Sequence, residues 1–242
     1  MAILMTLEEE VMRGLIQFDI SPSKVEFIIS NLENLRKVCP GDYRHSLNVN
    51  LLANSYIEKY GLNRADDFTT GLSVGSLTHD IGKLGIPPHI LNKTYDPTSN
   101  YTDEDMKIMK SHVEATYKIL QPKFKIAAGM SVRHHSFQNG RSYPRELPVP
   151  DKPFSEEEKL KIENGGYLIH VFDTYEAATH RPNRKISNSP MIFTPDEAIR
   201  MMIEEHPERK ELINDLYKKG VLNGHGNGRT SYGFFVDHSN NN

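Results

Sequence analysis

The spacing of apolar residues constrains this chain most strongly. Stretch after stretch repeats apolar side chains every three or four residues, as in Val11, Leu15 and Phe18, which is the period of a helix with one buried face. No stretch alternates apolar and polar residues convincingly, as a half-buried strand would. Proline and glycine separate the helical stretches. We therefore predict an all-α fold, a helical bundle.

The helical stretches suggest how the chain is divided. We predict helices over residues 4–18, 21–40, 42–60, 67–83, 102–120, 124–135 and 155–175, and one helix or a helix pair over 194–219. Residues 88–101 and 136–154 are predicted loops. Residues 1–40 are interpreted as a helical extension that packs on the core, residues 41–222 as the main domain, and residues 223–242, rich in Gly, Asn and His, as a loosely ordered tail.

Composition excludes several classes of function. The 242 residues carry a net charge of −3, so we expect no binding to DNA or RNA. No apolar run approaches the roughly 18 residues of a membrane span, and the first residues lack the basic start of a secretory signal. A single cysteine, Cys39, excludes an internal disulfide. We expect a cytoplasmic protein that contacts no membrane.

Adjacent residues His79 and Asp80 are the clearest sign of chemistry. Imidazole and carboxylate are ligands for first-row transition metals, and both can reach one ion only if their helix lines a cavity. For an isolated pair, a capped helix end with a surface Asp is the alternative. Metal-binding side chains recur, however, on or beside the apolar faces of five predicted helices: His45, His79 with Asp80, His112, His134 with His135, and Asp173. Buried imidazoles and carboxylates are costly unless they are paired or bind an ion, so two ions that share a carboxylate would explain the series.

This ordered series resembles the HD superfamily of metal-dependent phosphohydrolases, and more narrowly its HD-GYP branch. The resemblance covers roughly residues 40 to 220 and depends on motifs that match in order: His79-Asp80-Ile81-Gly82-Lys83 with Gly85-Ile86-Pro87, Met109 to His112, His134-His135 with Gly140 and Tyr143-Pro144, and Val171 to Ala177 with Arg181-Pro182. Each motif alone is weak evidence, whereas the ordered set is specific.

The resemblance implies an all-α HD-domain bundle with a di-metal site in its core. The two divalent ions would be iron or manganese, with zinc, nickel, cobalt or magnesium as alternatives. One ion would be held by His45, His79, Asp80 and Asp173, and the other by Asp80, His112, His134 and His135. Asp80 and Lys83 would be the catalytic residues, with a metal-bridging hydroxide as nucleophile and Lys83 neutralising a phosphate oxygen. For Lys83, a solvated charge at a helix end is the alternative.

The implied reaction is hydrolysis of a cyclic dinucleotide, cyclic di-GMP or cyclic GMP-AMP, in bacterial signalling. Candidate contacts to this small nucleotide are Lys83, Tyr143, Arg181, Arg184 and Lys185, although an ordinary basic loop would equally explain the last three. About 40 residues before the bundle are too few for a sensor domain, so we expect regulation by a separate protein or through expression. A second copy of the chain, in a homodimer, is the alternative partner to a separate regulatory protein, and the sequence leaves the oligomeric state open.

Several departures from the family pattern keep alternatives open. The usual Glu after the histidine pair is Ser136, the GYP triplet reads Ser142-Tyr143-Pro144, and the second Asp of the last motif is Glu176. Gly41 stands where three-metal members carry an acid, which favours two ions. One alternative is a nucleotide or phosphomonoester phosphohydrolase, and another is a catalytically silent HD signalling or interaction module.

Overall fold

The computed structural model describes residues 7–94, 96, 99–138, 142–144, 148, 153–181 and 192–222. Within these ranges the chain forms α-helices and short 3-10 helices and no strand, so the predicted all-α fold is confirmed there. The α-helices are α1 (Leu7–Ile16), α2 (Pro22–Val38), α3 (Pro40–Lys59), α4 (Asp67–Thr78), α5 (Pro88–Leu91), α6 (Asp103–Lys110), α7 (His112–Leu120), α8 (Lys125–Arg133), α9 (Glu156–His180), α10 (Pro195–Glu205) and α11 (Lys210–Lys218). The predicted tail, residues 223–242, lies outside the described residues.

Helix α9 is the central element of the bundle. It packs against α3, α4, α8 and α10, and α4 packs against α3 and α8 as well. Gly165 and Gly166 let α8 approach closely, because a Cβ on Gly166 would lie 2.5 Å from the Cβ of Arg133. Even α9, with 25 residues, is interrupted by charged side chains, and none of the described helices is both long and apolar enough to cross a bilayer.

The first two helices share an apolar cluster with the helices that follow. Val11 and Leu15 of α1 and Leu32 of α2 are buried with Leu47 of α3 and Leu77 of α4. Burial of such side chains contributes about 1.5–3 kcal/mol each. The cluster therefore joins α1 and α2 to α3 and α4.

Two predicted helices end earlier than their apolar pattern suggested. The helix predicted over 67–83 ends at Thr78, and a 3-10 helix, Ile81–Gly85, follows it. The helix predicted over 102–120 is divided at Ser111 into α6 and α7. The predicted loop 88–101 begins with the short helix α5 and a 3-10 turn. In both early endings a histidine side chain binds a carbonyl of the last helical turn, as described below.

The turn after α4 packs closely on the start of α7, and this contact supports a prediction about Gly82. A Cβ on Gly82 would lie 2.0 Å from the carbonyl oxygen of His112, whereas a Cβ on Gly85 would meet nothing within 4 Å. We expect Gly82→Ala to lower the free energy of unfolding by about 2–3 kcal/mol through overpacking, and Gly85→Ala to change it by less than about 0.5 kcal/mol. Urea denaturation of the two variants measures the difference, and equal effects would contradict the contact.

Candidate metal centre

The candidate ligands lie mostly at the ends of helices. Five of the seven directly follow α4, open α7 or directly follow α8: His79, Asp80, His112, His134 and His135. The other two, His45 and Asp173, lie inside α3 and α9. Because α3, α4, α8 and α9 pack on one another, these residues meet at one place in the core. The structure thus brings together all seven residues that the sequence singled out as ligands.

One group of donors comprises His45, His79 and Asp80, whose ligand atoms lie within 4.8 Å of one another. The Nε2 atoms of His45 and His79 are 3.2 Å apart. Asp173 completes this group, because its Oδ1 lies 2.9 Å from His45 Nε2 and 4.0 Å from His79 Nε2. Two imidazoles and two carboxylates therefore point into one small volume.

A second group comprises His112, His134 and His135, again with ligand atoms within 4.8 Å of one another. The rings of His134 and His135 are 3.8 Å apart between centroids, and those of His112 and His134 are 5.7 Å apart. His134 also contacts His79 of the first group, with ring centroids 5.0 Å apart. The two groups are therefore neighbours.

Asp80 connects the two groups through its two oxygens. Its Oδ2 lies 3.4 Å from His79 Nε2 and 4.0 Å from His45 Nε2, while its Oδ1 lies 3.2 Å from His112 Nε2. One carboxylate that faces two sets of donors is the arrangement that a pair of bridged cations requires.

Three of the histidines have the tautomer that metal binding needs. The Nδ1 atoms of His79, His112 and His134 lie 2.8, 2.6 and 2.5 Å from the backbone carbonyl oxygens three residues earlier. A carbonyl only accepts, so each Nδ1 carries the proton and donates it. Each Nε2 is consequently left with a free lone pair directed into the site, as in histidine ligands generally.

The residues present fit divalent metal ions. The Nε2 atom of His134 is buried and has no hydrogen-bond partner, and that of His112 has only the nearby Asp80 oxygen, without hydrogen-bond alignment. A buried nitrogen lone pair without a partner is costly, and a cation would satisfy it. Imidazole and carboxylate donors without a thiolate are suited to first-row ions such as iron, manganese and zinc.

The two halves of the site differ in charge. Burial and Arg181 disfavour a charge on His45, but Glu176 and Asp173 outweigh them and raise the pKa of the ring to about 9. Burial and the neighbouring His79 instead lower the pKa of His134 to about 3. The half around His45 therefore contains the carboxylates Asp173 and Glu176, whereas burial favours the neutral form of His134 in the other half.

Glu176 supports the candidate ligand His45 from behind. This glutamate is buried, accepts a short hydrogen bond from Nδ1 of His45, and receives a second bond of 2.9 Å from Asn48. The sequence identified Glu176 only as a departure from the family motif. Its position one turn after Asp173, on the same face of α9, was the available signal.

Asp42 is a site residue that sequence reasoning missed. It is fully buried, one turn before His45 in α3, and its Oδ1 lies 2.9 Å from Nζ of Lys83 and 3.6 Å from Nη2 of Arg181. Lys83 is also buried, and its Nζ lies 2.7 Å from Oδ2 of Asp80. The alternative of a solvated charge at a helix end is therefore wrong for Lys83.

The remaining candidate contacts lie at the more open side of the site. Tyr143 stacks on His135, with ring centroids 4.5 Å apart, so one face of its ring covers a candidate ligand. Tyr143, His135, Asp173 and Arg181 are all partly exposed, which marks the accessible side. Arg184 and Lys185 lie outside the described residues.

The bridging position of Asp80 makes a prediction about metal content. After loading with Mn²⁺ and desalting, we expect about two ions per wild-type chain. His134→Ala should retain about one ion because it removes a donor from one group, whereas Asp80→Asn should retain less than one because it weakens both. The exposed His89 provides a control, since His89→Ala should leave the content unchanged. Elemental analysis measures the content, and equal loss in both site variants would contradict two separate groups.

The Glu176–His45 contact makes a second prediction. Because outer partners of ligating histidines typically contribute 10–100-fold to metal affinity, Glu176→Gln should weaken Mn²⁺ binding by about that factor. Glu157→Gln, on the exposed first turn of the same helix, is the matched control and should leave the affinity unchanged. Calorimetric titration of each metal-free variant with Mn²⁺ measures the change, and unaltered binding by Glu176→Gln would contradict the supporting role.

Comparison with known proteins shows the family to which the sequence belongs. The sequence profile of the HD domain matches residues 42–178, more than half of the chain. A cyclic di-GMP phosphodiesterase from Thermotoga maritima is 27% identical over 188 residues, which cover 73% of this chain and 47% of that protein. A 3′3′-cGAMP-specific phosphodiesterase 2 from Vibrio cholerae serotype O1 is 30% identical over 137 residues, which cover 55% of this chain and 23% of that protein.

The chain thus spans about half of the first relative and about a quarter of the second. The region matched by the HD profile contains every candidate ligand, from His45 to Asp173. The chain belongs to the HD domain family.

Proposed function

We propose that this protein is a metal-dependent phosphodiesterase of the HD-GYP branch that hydrolyses a cyclic dinucleotide. The single observation that carries the proposal is the position of Asp80, whose two oxygens face two adjacent groups of metal donors. Two bridged cations are the arrangement that in-line displacement at phosphorus uses.

The substrate class is supported by the two relatives and by the charges at the site. The relatives are named for cyclic di-GMP and for 3′3′-cGAMP, two cyclic dinucleotides joined by phosphodiester bonds. Buried Lys83 lies 2.7 Å from Asp80 beside the donor groups, and partly exposed Arg181 lies 3.6 Å from Asp42. The positively charged side chains of Lys83 and Arg181 are suited to bind a phosphate group of a nucleotide.

Each part of the site has a role in the proposed reaction. When bound, the two ions supply an activated water and stabilise the negative charge that develops on the phosphate. The chain contributes the geometry: carbonyl-bound histidines keep their lone pairs directed inward, and Asp80 keeps the two groups together. Lys83 neutralises a phosphate oxygen while its contact with Asp80 holds it at the edge of the donors. Tyr143 holds the ring of His135 in place.

The proposed activity is tested with the full chain loaded with Mn²⁺ or with Fe²⁺ under anaerobic conditions. We expect linear or mononucleotide products from cyclic di-GMP or from 3′3′-cGAMP, separated by liquid chromatography. His79→Ala should lower the rate more than about 100-fold, because even an outer partner of a ligand contributes 10–100-fold. His89→Ala, an exposed histidine outside the site, should retain the wild-type rate.

The outcomes of this assay separate the alternatives. Bound metal without turnover of either dinucleotide would contradict the proposed substrate. Hydrolysis of nucleotide monophosphates under the same conditions would then indicate a phosphomonoester phosphohydrolase, an alternative suggested by Ser142 at the first position of the GYP triplet. Bound metal with no hydrolysis of any phosphoester would indicate a silent signalling or interaction module.

A further inference from the structure

Asp42 lies between two positively charged side chains, Lys83 and Arg181, that come from distant parts of the chain. Lys83 comes from the turn after α4, and Arg181 follows the end of α9, almost a hundred residues later. Oδ1 of Asp42 is 2.9 Å from Nζ of Lys83 and 3.6 Å from Nη2 of Arg181. The carboxylate therefore offsets the repulsion between two like charges at the edge of the metal centre.

The other oxygen of Asp42 is occupied as well. The thiol of Cys39 donates a hydrogen bond of 3.0 Å to Oδ2. Each oxygen thus has its own partner, which restricts rotation of the carboxylate. The side chain is fully buried, so water does not compete for these contacts.

The charge on Asp42 agrees with its position between Lys83 and Arg181. Burial alone would raise the pKa of Asp42, but Lys83 and Arg181 outweigh it and lower the pKa to about 2. The carboxylate is therefore ionised at neutral pH. Together with Asp80, which also contacts Lys83, Asp42 balances the charges of Lys83 and Arg181.

The position of Asp42 has a simpler explanation that must be separated from this one. An acidic residue in the first turn of a helix is favoured by the helix dipole, and Asp42 lies in the first turn of α3. That role would stabilise α3 without any effect on a ligand. A test must therefore report on Lys83 and Arg181 and not on the helix alone.

We propose that Asp42 is a positioning residue that holds Lys83 and Arg181 together as one receptor for a phosphate of the substrate. The inference rests on the proposed function, because it assigns the two cations to the substrate phosphate. It adds a residue that acts on the phosphate through Lys83 and Arg181.

The test is a double-mutant cycle on phosphate binding. Inorganic phosphate is titrated calorimetrically into the Mn²⁺-loaded full chain, for the wild type, Asp42→Asn, Lys83→Met/Arg181→Met and the combined variant. We expect Asp42→Asn to weaken phosphate binding about tenfold in the wild-type background and by less than about twofold when both cations are absent. Elemental analysis verifies equal metal content in all four proteins.

A matched control uses a carboxylate outside the site. Asp215 of α11 accepts a hydrogen bond from the hydroxyl of Tyr60, so Asp215→Asn also removes a bonded carboxylate. It should leave phosphate binding unchanged.

If Asp42→Asn does not fold, Cys39→Ala provides a second variant, because loss of the thiol frees one oxygen of Asp42. Cys39→Ala should weaken phosphate binding less than Asp42→Asn does, and this effect should again disappear in the Lys83→Met/Arg181→Met background.

Three results would overturn the proposal. Equal weakening by Asp42→Asn in both backgrounds would assign the residue to the helix and not to the cations. Tighter phosphate binding by Asp42→Asn would show that the carboxylate repels the anion more than it organises the cations. Absence of phosphate binding by the Mn²⁺-loaded wild type would remove the receptor altogether. None of these readouts requires turnover, so a failure of the proposed phosphodiesterase activity is distinguishable from a failure of this proposal.

Discussion

The hydrogen bond between an imidazole and a helix-terminal carbonyl is the interaction on which this site depends. Carbonyls in the last turn of a helix lack a partner within the helix. At the ends of α4, α6 and α8 a histidine three residues later supplies one, through Nδ1. The same bond fixes the proton on Nδ1 and leaves Nε2 as a metal donor. The bond that helps to end the helix therefore also orients the histidine as a metal donor. The same contact occurs at three helix ends, so it connects the ends of the helices to the candidate metal centre.

The sequence predicted the fold class and the candidate ligands because both follow from local patterns. Helical periodicity identifies the bundle, and each histidine or aspartate stands on or beside an apolar face. The early ends at Thr78 and Lys110 were missed, since propensity does not register a side chain that competes for a backbone carbonyl. Asp42 was missed for a different reason: its partners come from residues 83 and 181, and no local pattern reports a contact over that separation.

The unequal charge of the two halves follows from what lies behind each of them. The half around His45 has carboxylates as neighbours, Asp173 in front and Glu176 behind, so negative charge accumulates there. The half around His134 is supported by backbone carbonyls, which are dipoles without net charge. Lys83 and Arg181 lie beside the carboxylates of the first half and offset part of their charge. In the second half, an ion would be held by the imidazoles of His112, His134 and His135 and by Asp80.

Ligands at helix ends connect metal binding to local motion. Helix termini are the parts of a helix that open most readily, and amide protons there exchange with solvent sooner than those in the middle. In this protein the endings of α4 and α8 and the junction between α6 and α7 carry imidazoles of both groups. Two ions that share Asp80 would together hold these three helix ends, and the free energy of coordination would add to the protection of the surrounding backbone. Loss of the ions would therefore increase amide exchange first at these three helix ends, while the buried middle of α9 stays protected.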